Sequence, residues 1–173
     1  MTTWKLDGAH TTIGFKVKHL MVSSARGNFT QFEGSIVAPD DTFADAKVEF
    51  TAQTASITTN NDMRDGHLKS AEFFDVEKFP TLSFTSKSFT KKDAGYEIVG
   101  DLTMKGVTKE VTLQATTDGI GTGMEGGRVV GFDVTGTINR QDFGLSWNKS
   151  LETGGVVVGD TVTLDIHVEA KEA

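Results

Sequence analysis

The sequence predicts an all-β fold, an eight-stranded antiparallel β-barrel with one short α-helix. Three observations carry this prediction. Apolar and polar side chains alternate with period two in many short segments, threonine and glycine (19 residues) are frequent while proline (2) is scarce, and most connectors are short and rich in turn residues. Alternation places one set of side chains on each face of a strand, and short connectors join antiparallel neighbours. The length of 173 residues fits a single domain, which we assign to residues 1–173.

Eight segments carry the alternation. In the clearest one, Ile13, Phe15 and Val17 share one face while lysines occupy the other. By residue number, the segments are 12–19, 24–38, 46–57, 82–84, 96–104, 111–115, 130–138 and 162–168. Eight strands are enough to close a small barrel.

Two of these segments change their apolar parity partway. The change falls near Thr30 or Gln31 in the segment 24–38, and before Ala55 in the segment 46–57. A bulge adds a residue to one strand and restores its facing, and long strands that bend around a barrel need such breaks.

Two connectors are longer than the rest. Residues 60–80 contain the predicted helix, Asp62 to Ala71, which Asn60 or Asn61 can cap. Residues 139–160 carry Trp147 and two adjacent glycines, so we expect a mobile loop over one end of the barrel.

Charge and composition exclude several functions. The net charge of −7 would repel the phosphates of nucleic acid. The absence of cysteine excludes disulfides and thiolate chemistry. No apolar run long enough to span a bilayer is present, and the first residues lack the features of a signal peptide. We therefore expect a soluble, cytoplasmic protein.

Motifs for catalysis and metal binding are weak. Residues 121–126 match G-x-G-x-x-G, but a strand pattern follows where a dinucleotide site needs a helix, so they indicate a turn. Asp40, Asp41 and Asp45 fit a solvated turn. The histidines, none at metal-site spacing, are His10, His19, His67 and His167. We predict no catalytic residue, no metal and no cofactor.

The predicted helix carries one polar cluster, in which Arg64 and His67 could contact a ligand head group at the barrel mouth. The alternative is that Arg64 pairs with an acid and fixes the helix on the rim. Asp65 and Glu72 have no obvious partner for acid and base chemistry.

The barrel lumen is either filled by side chains or open to one small ligand. Small residues at inward positions, interspersed with phenylalanines, favour a slot. These small residues are Gly34, Ala38, Ala52, Gly100, Ala115 and Gly136. Ordinary core packing also explains the phenylalanines, and composition alone favours it, so the pattern does not decide between the two alternatives.

Ordered blocks along the whole chain resemble the YceI-like family. They include Trp4, Asp7, His10-Thr11, Ile13-Gly14-Phe15, Gly27-Asn28-Phe29, Arg64-Asp65-Gly66-His67-Leu68, Phe73-Phe74-Asp75, Gly100-Asp101-Leu102, Asn139-Arg140-Gln141-Asp142-Phe143 and Val158-Gly159-Asp160. The resemblance implies a lipocalin-like barrel whose hydrophobic pore holds a polyisoprenoid or a similar amphiphile, commonly in a homodimer. Many members of the family carry a signal peptide, and the start of this chain does not resemble one.

On this resemblance we expect a non-enzymatic protein that stores or transports a long-chain lipid. The expected lipid-binding residues are Ile13, Phe15, Val17, Phe29, Phe32, Phe50, Phe84, Phe132, Ile138 and Trp147. Arg64 and His67 are the expected head-group contacts. The alternatives are an isomerase or quinone-linked redox enzyme with His67 or His19 as proton donor, and a filled barrel that serves as an interaction scaffold.

Overall fold

The computed structural model describes residues 1–149 and 156–173. Within them it contains one α-helix, α1 (Asp62–Lys69), and short 3-10 turns at Gly8–His10, Thr54–Ser56 and Arg140–Phe143. The strands are β1 (Thr2–Leu6), β2 (Thr12–His19), β3 (Ser23–Phe29), β4 (Phe32–Ala38), β5 (Lys47–Gln53), β6 (Ile57–Thr58), β7 (Thr81–Lys92), β8 (Gly95–Met104), β9 (Val107–Thr122), β10 (Arg128–Asn139) and β11 (Val158–Glu172).

The strands close into an antiparallel barrel. Strand β1 pairs with β4 on one side and with β11 on the other, which joins the two ends of the sheet. Three strands are interrupted, because β1 continues into β2, β3 into β4 and β5 into β6. When each interrupted pair is counted once, the described residues form eight strands around the barrel, as the sequence predicts.

The interruptions explain the parity changes in the sequence. Strands β3 and β4 separate at Thr30 and Gln31, and the turn Thr54–Ser56 separates β5 from β6. The two breaks lie side by side, since the Thr30 amide donates to the Ser56 carbonyl (3.3 Å) and the Thr30 hydroxyl donates to the same oxygen (3.2 Å). Both strands therefore bend at the same level of the barrel.

The first strand is longer than the sequence pattern indicated. Strand β1 lies outside the predicted segment 12–19, and in its five residues only Trp4 is buried. A single buried position provides no alternation to detect.

Helix α1 begins where the sequence predicts and ends earlier. The Asn61 side chain caps it by accepting from the Arg64 amide (3.0 Å), and the helix ends at Lys69, two residues before the predicted Ala71, with Ser70 as its C-cap. Asp65, which is buried, accepts from the amide (2.8 Å) and the hydroxyl (2.5 Å) of Thr59, just beyond β6. These bonds fix the helix at one end of the barrel. Neither α1 nor any other helix in the described part of the chain has the length and apolar character to cross a bilayer.

The opposite end of the barrel is closed by an aromatic floor. Its members, all buried, are Trp4, Phe43, Phe89, Tyr96 and Phe132. The Phe43 ring stands edge-on to Phe132, with 5.1 Å between centroids, and lies 5.6 Å from the Trp4 ring. Such edge-to-face contacts add to the stability gained from burial. The barrel is thus sealed at the floor, and any opening lies at the α1 end.

Candidate functional site

An inner compartment lies directly above the aromatic floor. It has a volume of about 170 Å³. Its apolar walls include Ile36, Val48, Ile98, Leu113, Val134 and Val168. An engineered cavity of roughly this size and lining stays dry and binds a small hydrocarbon.

An outer compartment lies between the barrel and α1. It has a volume of about 620 Å³, which is within the range of small-molecule sites. Its apolar lining includes Val17, Ile57, Leu68, Phe74, Leu145 and Val162. Polar groups also face it, among them Thr59, Asn61 and His19. The polarity of the lining thus increases towards the mouth.

The two compartments meet at a waist. Five residues line both of them: Phe15, Phe29, Met104, Ile138 and Leu164. All five are apolar, so the path from the mouth to the floor crosses no charged group at this level. An elongated apolar molecule that passes the waist would occupy both compartments.

Most of the residues predicted to bind lipid lie along this path. Ile13, Phe50, Phe84 and Phe132 line the inner compartment. Phe15, Phe29 and Ile138 form part of the waist, and Val17 and Trp147 line the outer compartment. Phe32 does not belong to the described lining of either compartment. Its ring packs 6.0 Å from that of Phe50 instead.

The small inward residues do not produce the cavity, and this prediction was wrong. A β-carbon on Gly100 would lie 2.6 Å from the Phe84 ring, and one on Gly136 would lie 2.6 Å from a methyl group of Leu113. Large neighbouring side chains therefore cover these glycines. None of the six small residues is among those that line the described compartments. Glycine at these positions lets adjacent strands coil with an aromatic or aliphatic side chain above them.

Arg64 faces the outer compartment but binds the protein itself. Its Nε donates to the Thr59 hydroxyl (2.8 Å) and its Nη2 donates to the Thr59 carbonyl (2.9 Å). The predicted alternative, a pair between Arg64 and an acid, does not occur among the described ion pairs. The helix is instead fixed on the rim by Arg64 and Asp65, which both bind Thr59.

His67 lies in a small aromatic cluster at the mouth. Its ring stands edge-on to Phe73 (5.0 Å between centroids) and to Trp147 (4.6 Å), and its Nε2 lies 2.6 Å from a carboxylate oxygen of Glu72. Glu72 thereby gains a partner that the sequence did not indicate. The cluster connects α1 with the segment that carries Trp147.

Arg140 is a buried residue at the rim to which the sequence analysis assigned no role. It is 3% exposed, and its Nε donates to the Gly159 carbonyl (2.8 Å), while Nη1 donates to the carbonyls of Leu145 and Trp147 (the latter at 3.0 Å). Nη2 donates to the Val158 carbonyl (3.2 Å). Burial lowers the pKa of the Arg140 guanidinium. The only signal in the sequence was its place in the block Asn139-Arg140-Gln141-Asp142-Phe143, which resembles the YceI-like family.

Arg140 organises the rim of the outer compartment. The segments that it holds, around Leu145 and around Val158, lie on either side of residues 150–155, which fall outside the described residues. The described parts of the predicted loop 139–160, on both sides of residues 150–155, therefore lie at one end of the barrel. Its predicted mobility stays a prediction.

The remaining polar motifs lie away from the cavity. The glycine-rich residues 121–126 comprise the last two residues of β9 and most of the turn that leads to β10, in agreement with the predicted turn. His10 lies next to Asp7 (2.8 Å) and Glu169 (3.7 Å), and the three could together hold a metal ion. However, the Lys171 ammonium group already lies 3.0 Å from the Asp7 carboxylate, so this group is an ion-pair cluster on the outer wall.

Comparisons with known proteins agree with this architecture. The family described as YceI-like domain matches residues 4–170. A UPF0312 protein of Staphylococcus aureus (strain bovine RF122 / ET3-1) is 42% identical over 170 residues, which cover 98% of this chain and 97% of the relative. The crystal structure of Burkholderia cenocepacia BcnA superposes with a TM-score of 0.83 at 22% identity, covering 96% of this chain and 99% of BcnA. A polyisoprenoid-binding domain from Saccharophagus degradans, implicated in plant cell wall breakdown, matches over the full length of both chains with a TM-score of 0.67 at 13% identity.

Proposed function

This chain belongs to the YceI-like family, and we propose that its barrel binds a long-chain polyisoprenoid or a similar amphipathic lipid for storage or transport. The observation that carries the proposal is the apolar path from the mouth through the waist to the aromatic floor. The Saccharophagus degradans domain, which shares the fold, is a polyisoprenoid-binding domain, and this supports the ligand class.

The gradient of polarity along the cavity supports one orientation of the ligand. The hydrocarbon tail would fill the inner compartment, while the polar head would stay among Asn61, Thr59 and His67 at the mouth. Each buried methylene contributes about 0.8 kcal/mol. Because about 1.4 kcal/mol corresponds to a tenfold change in affinity, chain length would dominate affinity until the tail reaches the floor.

The first experiment is native mass spectrometry of the purified protein, followed by organic extraction and identification of any bound molecule. A co-purifying prenyl chain would support the carrier function. A protein that is empty and does not take up added prenols would instead indicate a filled-barrel scaffold. Conversion of an added prenyl compound that is lost in His67→Ala would indicate an enzyme.

A substitution at the waist tests where the tail lies. Ile138→Trp fills the passage to the inner compartment with an apolar side chain, whereas Thr137→Trp places the same side chain at the next position of β10, on the exposed face. We expect affinity for a series of prenols to rise with chain length in the wild-type protein and in Thr137→Trp. In Ile138→Trp the rise should stop at a shorter chain. If Ile138→Trp binds the longest prenol as well as Thr137→Trp does, the tail does not pass the waist.

The cytoplasmic location and the homodimer stay predictions from the sequence and the family resemblance. Cell fractionation tests the first, and light scattering of the purified protein tests the second.

A further inference from the structure

The hairpin between β2 and β3 ends in an apolar tip that is open to solvent. Leu20 is 43% exposed, Met21 55% and Val22 84%. Leu20 (φ 54°) and Met21 (φ 63°) both adopt the left-handed conformation, which tight hairpin turns usually fill with asparagine and glycine. The tip therefore combines two left-handed non-glycine residues with apolar surface that is open to solvent. Such an arrangement points to a function.

The tip lies at the mouth of the outer compartment. Val17, Lys18 and His19, which immediately precede it, all line that compartment. The Leu20 amide donates to the carbonyl of Val157 (2.8 Å), which immediately precedes the neighbouring strand β11 at the rim. Met63 of α1, which is 87% exposed, also borders the compartment. Exposed apolar side chains from two elements thus flank the same opening.

The charge of the hairpin differs from that of the rest of the chain. Residues 8–32 contain Lys16, Lys18 and Arg26 but no aspartate or glutamate, although the chain as a whole has a net charge of −7. Lys18 and Arg26 are exposed. The combination of an apolar tip and flanking basic side chains complements the surface of an anionic bilayer, where apolar groups enter the headgroup region and basic groups meet lipid phosphates.

We propose that the β2–β3 hairpin docks the mouth of the barrel on an anionic lipid membrane. Leu20, Met21 and Val22 enter the headgroup region, and Lys18 and Arg26 contact anionic headgroups. The cavity then opens towards the bilayer, so that a lipid passes between membrane and barrel without crossing water. The docking itself needs no lipid in the cavity, so it stands or falls independently of the proposed cargo.

The test is co-sedimentation of the full chain with phosphatidylcholine vesicles, with and without phosphatidylglycerol. We expect binding only when phosphatidylglycerol is present, and we expect it to weaken as salt increases because screening shortens the reach of the charges. The double variant Met21→Ser/Val22→Ser should bind roughly tenfold more weakly. Lys18→Gln and Arg26→Gln should each weaken binding about fivefold, because the attraction of one basic residue to an anionic membrane surface corresponds to about this change in affinity.

Met124→Ser is the matched control. Met124 is fully exposed at the tip of the β9–β10 hairpin, beside the floor end of the barrel, and has the same chemistry as Met21. This variant should bind anionic vesicles like the wild-type protein. Circular dichroism and thermal unfolding of every variant exclude misfolding as the cause of a loss.

Two results would overturn the docking surface. One is a wild-type protein that stays in the supernatant with anionic vesicles, and the other is a loss in Met124→Ser equal to that in Met21→Ser/Val22→Ser. Retention of a prenol by the same preparations is measured separately. A protein that retains prenol but ignores vesicles would refute the docking and leave the carrier function intact.

Discussion

The two ends of the barrel are closed by different kinds of interaction. At the floor, Phe43 from a loop packs against Trp4 of β1 and Phe132 of β10, and Phe132 packs in turn against Phe89 of β7, with centroid separations of 5.1 to 6.2 Å. At the mouth, the rings of His67, Phe73 and Trp147 also pack together. Hydrogen bonds from Arg140 and Arg64 to backbone carbonyls and to Thr59 join the segments of the rim. Packing of this kind is lost only when the end of the barrel unfolds, whereas a few hydrogen bonds can exchange locally. We therefore expect the floor to contribute more to the stability of the fold, and the mouth to be the end through which a ligand enters.

An arginine at each end makes the contrast concrete. At the floor, Arg128 lies over the Trp4 ring (5.2 Å) and pairs with Asp41 (2.8 Å) and Glu172 (2.7 Å) on the surface, and these carboxylates raise its pKa. At the mouth, Arg140 is buried among carbonyls, and burial lowers its pKa. Arg128 packs on the outside of the floor, which is held by aromatic packing. Arg140 instead binds the backbone segments that form the rim.

The largest expected effect is at the floor. Trp4→Ala removes a fully buried ring and should lower the free energy of unfolding by about 3–5 kcal/mol, measured by urea denaturation. Trp4→Phe is the control and should cost much less, because it keeps a ring and removes the Trp4 Nε1 donor, which has no hydrogen-bond partner among the described residues. A loss below about 1 kcal/mol in Trp4→Ala would show that the floor does not determine stability.

The next effect is at the mouth. Arg140→Ala leaves several carbonyls without donors and should lower the free energy of unfolding by about 2–3 kcal/mol. It should also speed hydrogen exchange at the amides of Leu145 and Val157, which close the rim. Urea denaturation and exchange measured by mass spectrometry check the two effects.

Arg128→Ala is the comparison for this prediction. Its ion pairs are on the surface, where solvent screens them, so we expect a much smaller loss of stability than for Arg140→Ala and no change in exchange at the mouth. If Arg128→Ala destabilises the protein as much as Arg140→Ala does, the two ends do not differ in the proposed way.

The same contrast explains how far the sequence could predict the structure. The barrel was predictable because strands alternate with period two, and even the breaks near Thr30 and Ala55 left a parity change. Phe43 could not be placed, because it lies in the turn predicted to be solvated and reaches the floor only through a left-handed backbone (φ 60°). Arg140 could not be recognised either, since its partners are carbonyls that any residue could supply. Contacts that depend on loops or on the backbone leave no periodic signal.

The smallest expected effect lies on the outer wall, between the two ends. Hydrogen bonds with His10 and Lys171 lower the pKa of Asp7 from 3.8 to about 2. A depressed carboxyl pKa stabilises the folded chain above the unfolded value of 3.8, and this contribution is lost as the pH falls from there through about 2. The hydrogen bond with Asp7 is also the main cause of the raised pKa of His10. That contribution is present below pH 6.5 and is lost as the pH rises through the folded value.

Asp7→Asn should therefore remove part of the pH dependence of the free energy of unfolding, both below pH 3.8 and above pH 6.5. It should also bring the pKa of His10 back towards 6.5. An NMR titration of the His10 ring measures the second effect directly, and urea midpoints across a pH series measure the first. Because the cluster is on the surface, solvent screens it and the change in stability should be smaller than for Arg140→Ala. Prenol retention and vesicle binding should not change, because Asp7 lies beside Glu169 on the outer wall and does not line the outer compartment. An unchanged His10 pKa in Asp7→Asn would mean that the hydrogen bond does not form in solution, and a change in retention would mean that the wall is coupled to the cavity.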